Sequence, residues 1–271
     1  MGAALTTYYH YFHKERVIAS HDSQKGSYLG TQYTNDDIGA FLQSNNIPFA
    51  YYTDTQKLCD AVAGLLSAEQ VIGWFQGRME FGPRALGARS ILGDARSSEM
   101  QKKMNLKIKY RESFRPFAPA VLAENVADWF DIECESPYML LVADIKKEKQ
   151  RTMSASEQQL WGIEKLNISR SEIPAVTHID YSARIQTVHK ETNAVFNQLI
   201  SSFYKKTGCP VIVNTSFNVR GEPIVESPAD AYRCFMRTEM DVLVLGNYVV
   251  MKKDQPAYAD ASDWKKEYEL D

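Results

Sequence analysis

The stretch at residues 73–96 reads GWFQGRMEFGPRALGARSILGDAR, and it contains five glycines and four arginines. The apolar run VIGWF at 71–75 predicts a short strand, and the glycines and Pro83 after it predict a shaped loop. Glycine lets a backbone approach another group closely, and arginine presents a planar fork of donors that suits phosphate. The stretch is therefore typical either of an anion-binding loop after a strand or of a turn-rich surface loop.

Strand-like and helix-like segments alternate along the rest of the chain. Residues 55–66 and 192–206 repeat apolar residues on one helical face, and Gly208 predicts the end of the second helix. Short apolar runs predict further strands at 47–52, 138–145, 175–179, 184–188 and 210–218, and DVLVLGNYVVMKK at 241–253 predicts a final strand or hairpin. This alternation predicts an α/β (α+β) fold with a twisted mixed sheet and flanking helices.

Several local predictions depend on single residues. Asn35 is expected to cap the helix that follows it, and Ser97 or Ser98 is expected to cap a helix over 98–109. Two prolines predict an extended run for YRESFRPFAPA at 110–120. The polar, charged segment 146–172 has no clear period and is predicted to be a peripheral insertion.

The composition favours an ordinary packed protein. Of 271 residues, 44% are hydrophobic and 24% are charged. The longest apolar runs are too short to span a bilayer, and MGAALTTYYHYFHK lacks the basic start and apolar core of a signal peptide. The four cysteines form no CxxC pair, which argues against zinc fingers and a disulfide framework. We therefore expect a cytoplasmic protein with no membrane partner.

Positive charge is concentrated around the opening stretch. The net charge is only −3, yet residues 78–115 contain ten Lys or Arg and four Asp or Glu. A basic segment in an acidic protein favours a confined anion site over a broad nucleic-acid surface. A solvated, lysine-rich helix face explains the same composition, because QKKMNLKIK supplies much of the charge.

Two basic segments contain candidate anion ligands. Arg84 lies in the shaped loop, although it could instead pair with an acid such as Glu80. In KIKYRESFRPFAP, side-chain alternation places Lys109 and Arg111 on one face, and the flanking prolines would hold Arg115 rigidly, as an anion clamp requires.

Small polar residues follow the strand predicted at 210–218. Asn214, Thr215, Ser216 and Asn218 are types that bind phosphate or a planar amide together with backbone N–H groups. Ser216 lacks a GxSxG elbow, so a hydrolase triad is not expected. On spacing alone Arg184 is an ordinary arginine with a surface partner. The histidines lack partners at metal-ligand spacing, and no metal-ligating residue is predicted.

Three long motifs carry a resemblance to a known family. EFGPRALGARSIL at 80–92, MNLKIKYRESFRPFAPAVL at 104–122 and GCPVIVNTSFNVRGEPIVESPADA at 208–231 resemble the carboxyl-terminal part of the O-carbamoyltransferases related to nodulation and antibiotic carbamoylation enzymes. The resemblance runs from about 71 to 248 and is weak over 146–172. It implies a YrdC-like fold.

The resemblance also implies a reaction. In this family the YrdC-like domain binds carbamoyl phosphate and ATP, with Mg²⁺, and joins carbamate to AMP as carbamoyl-adenylate. Residues that match the family's anion-binding positions are Arg84, Lys109, Arg115, Arg184 and Ser216, of which Lys109 and Arg115 are the predicted catalytic residues. Asn214, Thr215 and Asn218 complete the predicted substrate-binding set.

The same resemblance implies a domain organisation. Residues 1–25 would be a residual helix and linker from an actin/hexokinase-like ATPase-fold domain, and 26–271 the YrdC-like domain. That N-terminal domain of the full-length protein is the implied partner, and it would transfer the carbamoyl group to an acceptor hydroxyl. The alternatives are a YrdC-like module that binds RNA and a catalytically silent fragment, and no nucleic-acid partner is expected.

Overall fold

The apolar run at the start of the opening stretch forms a strand in which all four residues are buried. The computed structural model describes residues 2–17, 22–166 and 168–256. In these ranges nine strands form one sheet: β1 (Ala50–Tyr51), β2 (Ile72–Phe75), β3 (Arg89–Asp94), β4 (Ala118–Leu122), β5 (Leu141–Asp144), β6 (Ser182–Val188), β7 (Val211–Ser216), β8 (Val242–Leu245) and β9 (Tyr248–Met251).

The sheet is mixed, with the strand order β1-β9-β8-β2-β3-β7-β4-β6-β5. The pairs β2–β8 and β4–β6 are parallel, and the other neighbours are antiparallel. The predicted α/β class with a mixed sheet and flanking helices is confirmed.

The helices of the described ranges are α1 (Gly2–Thr6), α2 (Asn35–Ser44), α3 (Thr55–Ser67), α4 (Met100–Lys107), α5 (Val126–Trp129), α6 (Ala155–Gln159), α7 (Gly162–Leu166), α8 (Ala194–Thr207) and α9 (Pro228–Arg237). Helices α3 and α8 pack on each other and join the main apolar core through Leu58, Val62, Phe196 and Leu199. Burying side chains of this kind contributes about 1.5–3 kcal/mol each. As predicted, α8 ends at Gly208, which adopts the left-handed conformation with φ 73°.

The connectivity places several chain ends along one edge of the sheet. Strand β3 runs antiparallel to both β2 and β7, so the loop after β2 lies beside the carboxyl end of β7. Strand β4 begins at the same edge, because Ala118 is paired with Asn214. Strand β6 is parallel to β4 and enters from that edge as well. Motifs that are far apart in the sequence therefore lie close together at this edge of the sheet.

Some local predictions are wrong. Thr34 rather than Asn35 caps α2, and Glu99 precedes α4 without a side-chain cap, so neither Ser97 nor Ser98 has that role. The segment predicted as a strand at 175–179 begins with a 3-10 turn, Pro174–Val176. Strand β3 was not predicted at all.

The run predicted to be extended at 110–120 is a turn in its first half. Tyr110 has a positive φ of 48°, and the Asn105 amide nitrogen donates to the carbonyls of Ser113 and Arg115 at 3.1 and 2.8 Å. The Asn105 side chain thus holds two carbonyl groups of the segment close together and stabilises a turn. The extended chain begins only at Ala118.

The first residues are helical, as predicted. Helix α1 continues into a π-helical turn, Thr7–Tyr11, and neither buries a residue. The predicted boundary near residue 25 remains a prediction, and residues 18–21 and 257–271 lie outside the described ranges.

Candidate anion-binding site

The glycine-arginine stretch is a hairpin in which an irregular loop at 76–88 joins β2 to β3. Gly87 in this loop has φ 103°, and a β-carbon there would lie 2.3 Å from the Phe196 ring of α8. Only glycine fits both the backbone angle and the close approach. The loop is therefore pressed onto α8, and this fixes the direction in which Arg84 leaves the backbone.

Arg84 lines a cavity of about 140 Å³, roughly the liquid volume of five water molecules. The cavity also receives Arg111 from the turn after α4 and Arg184 from the middle of β6. The remaining lining residues are Pro83, Ala85, Pro116, Phe117, Ala118, Met139, Asn214, Thr215 and Ser216. Three guanidinium groups and no carboxylate therefore line this cavity in the described part of the chain.

Arg84 and Arg184 are like charges that face the same space. Burial lowers the pKa of Arg184, and the positive charge of Arg84 lowers it further. The Nε atoms of both are buried and have no hydrogen-bond partner among the described residues. Neither arginine forms an ion pair there, so both positive charges face the cavity without a counter-ion. The surface partner considered for Arg184 is not found among the described residues.

Arg84 is also not paired with Glu80. The Glu80 carboxylate instead accepts backbone N–H groups of the loop, at 2.6 Å from Leu86 and 2.7 Å from Ala88. The buried neighbour of this carboxylate is Arg89, whose guanidinium carbon lies 3.5 Å from the centre of the Phe75 ring. Arg84 in the loop and Arg89 at the start of β3 thus differ, since Arg89 is part of the core and Arg84 faces the cavity.

Arg111 is a cavity residue that the predicted site lacked. Its Nε donates to the Asn105 side chain at 2.7 Å, and its guanidinium lies 5.0 Å from the centre of the Phe117 ring. The alternation that places Arg111 on the same face as Lys109 was the available signal, and the resemblance did not select it.

Lys109 lies behind Ser216 rather than among the residues that line the cavity in the described ranges. Its Nζ donates to the Ser216 carbonyl at 2.6 Å and to the carbonyl and side-chain oxygens of Asn218 at 2.8 and 2.7 Å. Burial lowers the pKa of Lys109 to about 7, and the positive charge of Arg111 acts in the same direction. Lys109 therefore fixes the end of β7 and adds a charge whose presence depends on pH.

The polar residues at the end of β7 have different surroundings. Thr215 and Ser216 line the cavity, and the Ser216 hydroxyl donates to the Asn218 side chain at 2.7 Å. The Asn214 amide nitrogen donates to the Ala85 carbonyl at 3.1 Å and to the Gln186 side chain at 2.6 Å. Asn214 thus ties β7 to the Arg84 loop, while Asn218 holds Lys109.

Arg115 is placed outside the cavity. Its Nε donates to the Glu112 carboxylate at 3.0 Å, and 37% of its side chain is exposed. Pro116, the next residue, lines the cavity. The catalytic role predicted for Arg115 remains a prediction, and it would require this exposed ion pair to open.

A larger and mostly apolar cavity of about 450 Å³ adjoins the first, and Pro116 lines both. Its other described lining residues are Gln101, Phe114, Gly162, Thr177, His178 and Ile179. Burial lowers the pKa of His178, which favours the uncharged ring, and its Nδ1 lies 3.0 Å from the Ser182 hydroxyl, so Nε2 is the nitrogen left for a ligand. The small cationic cavity and the larger apolar cavity thus share one lining residue.

Two further features bear on the predicted cofactors and partners. Within the described ranges, no group of three or more His, Cys, Asp or Glu side chains could hold a metal ion. None of the helices described there has the length and apolar character needed to cross a bilayer.

Comparison with known proteins extends these observations. A family model described as carbamoyltransferase C-terminus matches residues 63–252. The nodulation protein NolNO of Sinorhizobium fredii is 40% identical over 86% of this chain and 32% of its own length. The 3'-hydroxymethylcephem-O-carbamoyltransferase of Streptomyces clavuligerus is 34% identical over 85% of this chain and 42% of its own length. The resemblance found in the three motifs is confirmed.

An uncharacterized protein of Synechocystis sp. is 56% identical over the whole chain and 44% of its own length. The chain thus spans less than half of the length of these curated relatives. Among solved structures, Sua5 of P. abyssi complexed with L-threonine matches 71% of this chain and 47% of its own, with a TM-score of 0.46 and 12% identity. Full-length HypF in its phosphate- and nucleotide-bound form matches 73% of this chain and 22% of its own, with a TM-score of 0.45 and 17% identity.

Proposed function

The chain belongs to the carbamoyltransferase C-terminus family, and we propose that its arginine cavity binds carbamoyl phosphate and that the chain uses ATP to form carbamoyl-adenylate. The observation that carries this proposal is the pair Arg84 and Arg184, two like charges that face one small cavity without a counter-ion in the described residues. A dianionic phosphoryl group would supply the negative charge that these two arginines lack as a partner. Arginine grips phosphate oxygens through two parallel N–H donors.

The cavity fits a small phosphorylated compound better than a nucleotide. Its volume of about 140 Å³ lies below the roughly 300–1,000 Å³ of pockets that hold drug-sized ligands. Thr215 and Ser216 line the wall that β7 provides, and their hydroxyl and backbone groups offer neutral partners to a carbamoyl group. We therefore assign the arginine cavity to carbamoyl phosphate.

The adjoining apolar cavity suits the nucleotide. Phe114, Pro116 and Ile179 offer apolar surface to a planar base, and Gln101 and His178 offer uncharged polar atoms. Since Pro116 lines both cavities, a triphosphate whose base lies in the second cavity would point its charged end toward the arginines. Mg²⁺ would arrive with the phosphates, as is usual where the protein itself offers few carboxylate ligands.

In the proposed reaction, water first cleaves carbamoyl phosphate into carbamate and inorganic phosphate. A carbamate oxygen then attacks the α-phosphorus of ATP, a new P–O bond forms, and pyrophosphate leaves. No side-chain nucleophile is needed. The described residues contribute fixed positive charge that offsets repulsion between the two anionic substrates and holds them in position.

Transfer to an acceptor hydroxyl is assigned to a different part of the full-length protein, consistent with relatives more than twice as long as this chain. The proposed partner is the ATPase-fold domain, and the proposed site of action is the cytoplasm. The observations give less support to RNA binding, because the basic groups converge on a cavity of about 140 Å³ rather than on an open face.

Pyrophosphate release tests this function. Incubation of the chain with ATP, Mg²⁺ and carbamoyl phosphate should release pyrophosphate only when both substrates are present. Arg84→Ala should abolish release, whereas Arg233→Ala should not, because Arg233 pairs with Asp230 on α9. Phe114→Ala should weaken ATP binding more than carbamoyl phosphate binding. Absence of both pyrophosphate release and substrate binding would refute the proposal.

A further inference from the structure

The loop that presents Arg84 has no regular secondary structure over residues 84–88, yet every backbone N–H and carbonyl group of Leu86, Gly87 and Ala88 is hydrogen-bonded. On the carbonyl side, Asn214 donates to Ala85, Gln186 donates to Leu86 at 2.8 Å, and the Trp74 indole donates to Gly87 at 3.1 Å. An irregular backbone held in this way stays in one conformation.

One side chain accepts from two N–H groups of the loop and from the first N–H group of β3. Glu80 is 5% exposed, and its Oε1 accepts from Leu86 at 2.6 Å, from Ala88 at 2.7 Å and from Arg89 at 3.4 Å. The Gly87 N–H donates to the Ser90 hydroxyl at 3.0 Å. Glu80 Oε2 is buried without a hydrogen-bond partner in the described residues, so the contacts that shape the loop converge on a single oxygen.

Glu80 has a buried basic neighbour, Arg89. Arg89 is fully buried, and it donates to the backbone carbonyls of Gln76 and Gly77 at 3.1 and 3.3 Å. Burial lowers the pKa of Arg89 to about 10, and the Glu80 carboxylate is the largest influence that opposes this change. Burial raises the pKa of Glu80, and the backbone N–H groups of Ala88 and Leu86 oppose this change. Arg84 and Arg184 have no acidic neighbour among the described residues that line the cavity.

We propose that Glu80 is a positioning residue that sets the conformation of the Arg84 loop before the anion arrives. This inference rests on the proposed function, because it concerns the same cavity. Glu80 does not line the cavity described above and acts only through the backbone of residues 86–89. Fixing Arg84 in advance removes an ordering cost that would otherwise weaken anion binding.

Three substitutions distinguish the effect of the Glu80 Oε1 acceptor from the effect of the carboxylate charge. Glu80→Gln keeps an acceptor oxygen at the Oε1 position and places its amide group where Oε2 has no partner. Glu80→Asp keeps the charge but is one methylene too short to reach Leu86 and Ala88. Glu80→Ala removes both. We expect the affinity for inorganic phosphate to fall roughly tenfold or more in the Asp and Ala variants, and about threefold or less in the Gln variant.

Amide hydrogen exchange provides a readout that does not depend on a ligand. The Leu86 and Ala88 amides should exchange faster in Glu80→Ala than in the unsubstituted chain, and near the original rate in Glu80→Gln. Leu42→Ala, a buried change on α2, serves as the control for loss of stability. It should lower the thermal midpoint without affecting the phosphate affinity.

The outcomes separate the two proposals. If the unsubstituted chain binds neither inorganic phosphate nor carbamoyl phosphate, the proposed function fails, and the exchange of Leu86 and Ala88 still reports whether Glu80 holds the loop. If the unsubstituted chain binds phosphate and Glu80→Ala binds it equally well, the positioning role is overturned. Equal losses in the Gln and Asp variants would also overturn it, because retention of the oxygen would then bring no benefit.

Discussion

Lys109 is the residue whose charge depends most on its surroundings. An exposed lysine stays protonated until about pH 10.4, but burial lowers the pKa of Lys109 to about 7. Its three donor hydrogens are directed at oxygens of Ser216 and Asn218, and this geometry favours the protonated form. An anion in the neighbouring cavity would favour that form as well. The charge of Lys109 is thus coupled to anion binding through the end of β7.

A pH effect on stability follows from this lowered pKa. Between about pH 7 and 10 the unfolded chain keeps the Lys109 proton while the folded chain releases it, so the unfolded state binds more protons and stability rises with pH. Lys109→Met should remove this contribution, which amounts to at most about 1.4 kcal/mol per pH unit. Denaturant unfolding of both proteins across this range measures the difference.

Lys57→Met provides the control for this measurement, because Lys57 is an exposed residue of α3. Its free energy of unfolding should follow that of the unsubstituted chain at every pH. Identical pH profiles for Lys109→Met and the unsubstituted chain would show that burial does not perturb this lysine.

At the scale of secondary-structure elements, the hairpin of β2 and β3 turns the glycine-arginine stretch into a loop that presents Arg84 to the cavity. Strand β2 enters the sheet between β8 and β3, and β3 returns beside β7. The loop between them is held against α8 at Gly87 and against β7 through Asn214. The position of Arg84 therefore depends on two elements that are distant in sequence.

Gly87→Ala tests this packing. The added methyl group would meet the Phe196 ring at 2.3 Å and would hold a φ of 103° that an L-residue avoids, so we expect a loss of about 1–3 kcal/mol in the free energy of unfolding. Phosphate affinity should fall with it. The matched control is Gly64→Ala in α3, where no atom lies within 4 Å of the added carbon and a gain of about 0.4–1 kcal/mol is expected. Thermal unfolding that ranks the two variants in the opposite order would contradict this account.

A secondary-structure element can be predicted from the sequence when the residues that determine it lie within the element itself. Apolar periodicity predicts α3 and α8, because that signal lies within the helices themselves. Strand β3 is missed because RSILGD begins with an arginine and includes a glycine. Arg89 is tolerated in this buried strand because backbone carbonyls distant in sequence accept hydrogen bonds from its guanidinium group. The turn at 110–115 is missed for a similar reason, since Asn105 draws it together.

The candidate site divides in the same way. Motif resemblance identifies Arg84, Arg184 and Ser216, and the fold brings them together in one cavity. Arg111 and Glu80 are not identified, because their roles arise from contacts that the spacing does not specify. Arg115 lies outside the cavity because Glu112, three residues earlier, is close enough to pair with it.

At the scale of the whole molecule, the chain has a small cationic cavity at one edge of its sheet and a larger, mostly apolar cavity that shares Pro116 with it. The chain covers 32–44% of the length of the relatives compared above. Under the proposed function, it carries the activation step and a further part of a longer protein carries the transfer step. We therefore expect this chain to bind carbamoyl phosphate but not to carbamoylate an acceptor unaided.

Direct titration of carbamoyl phosphate in a calorimeter tests the central claim most directly. The unsubstituted chain should bind the ligand at one site, and Arg84→Ala or Arg184→Ala should each weaken binding roughly tenfold to a hundredfold, the effect of losing a charge-assisted contact worth about 1.5–3 kcal/mol. Arg233→Ala on α9 should leave the affinity unchanged. Absence of binding to the unsubstituted chain would contradict the assignment of this cavity. So would an Arg84→Ala or Arg184→Ala variant that binds carbamoyl phosphate as tightly as the unsubstituted chain.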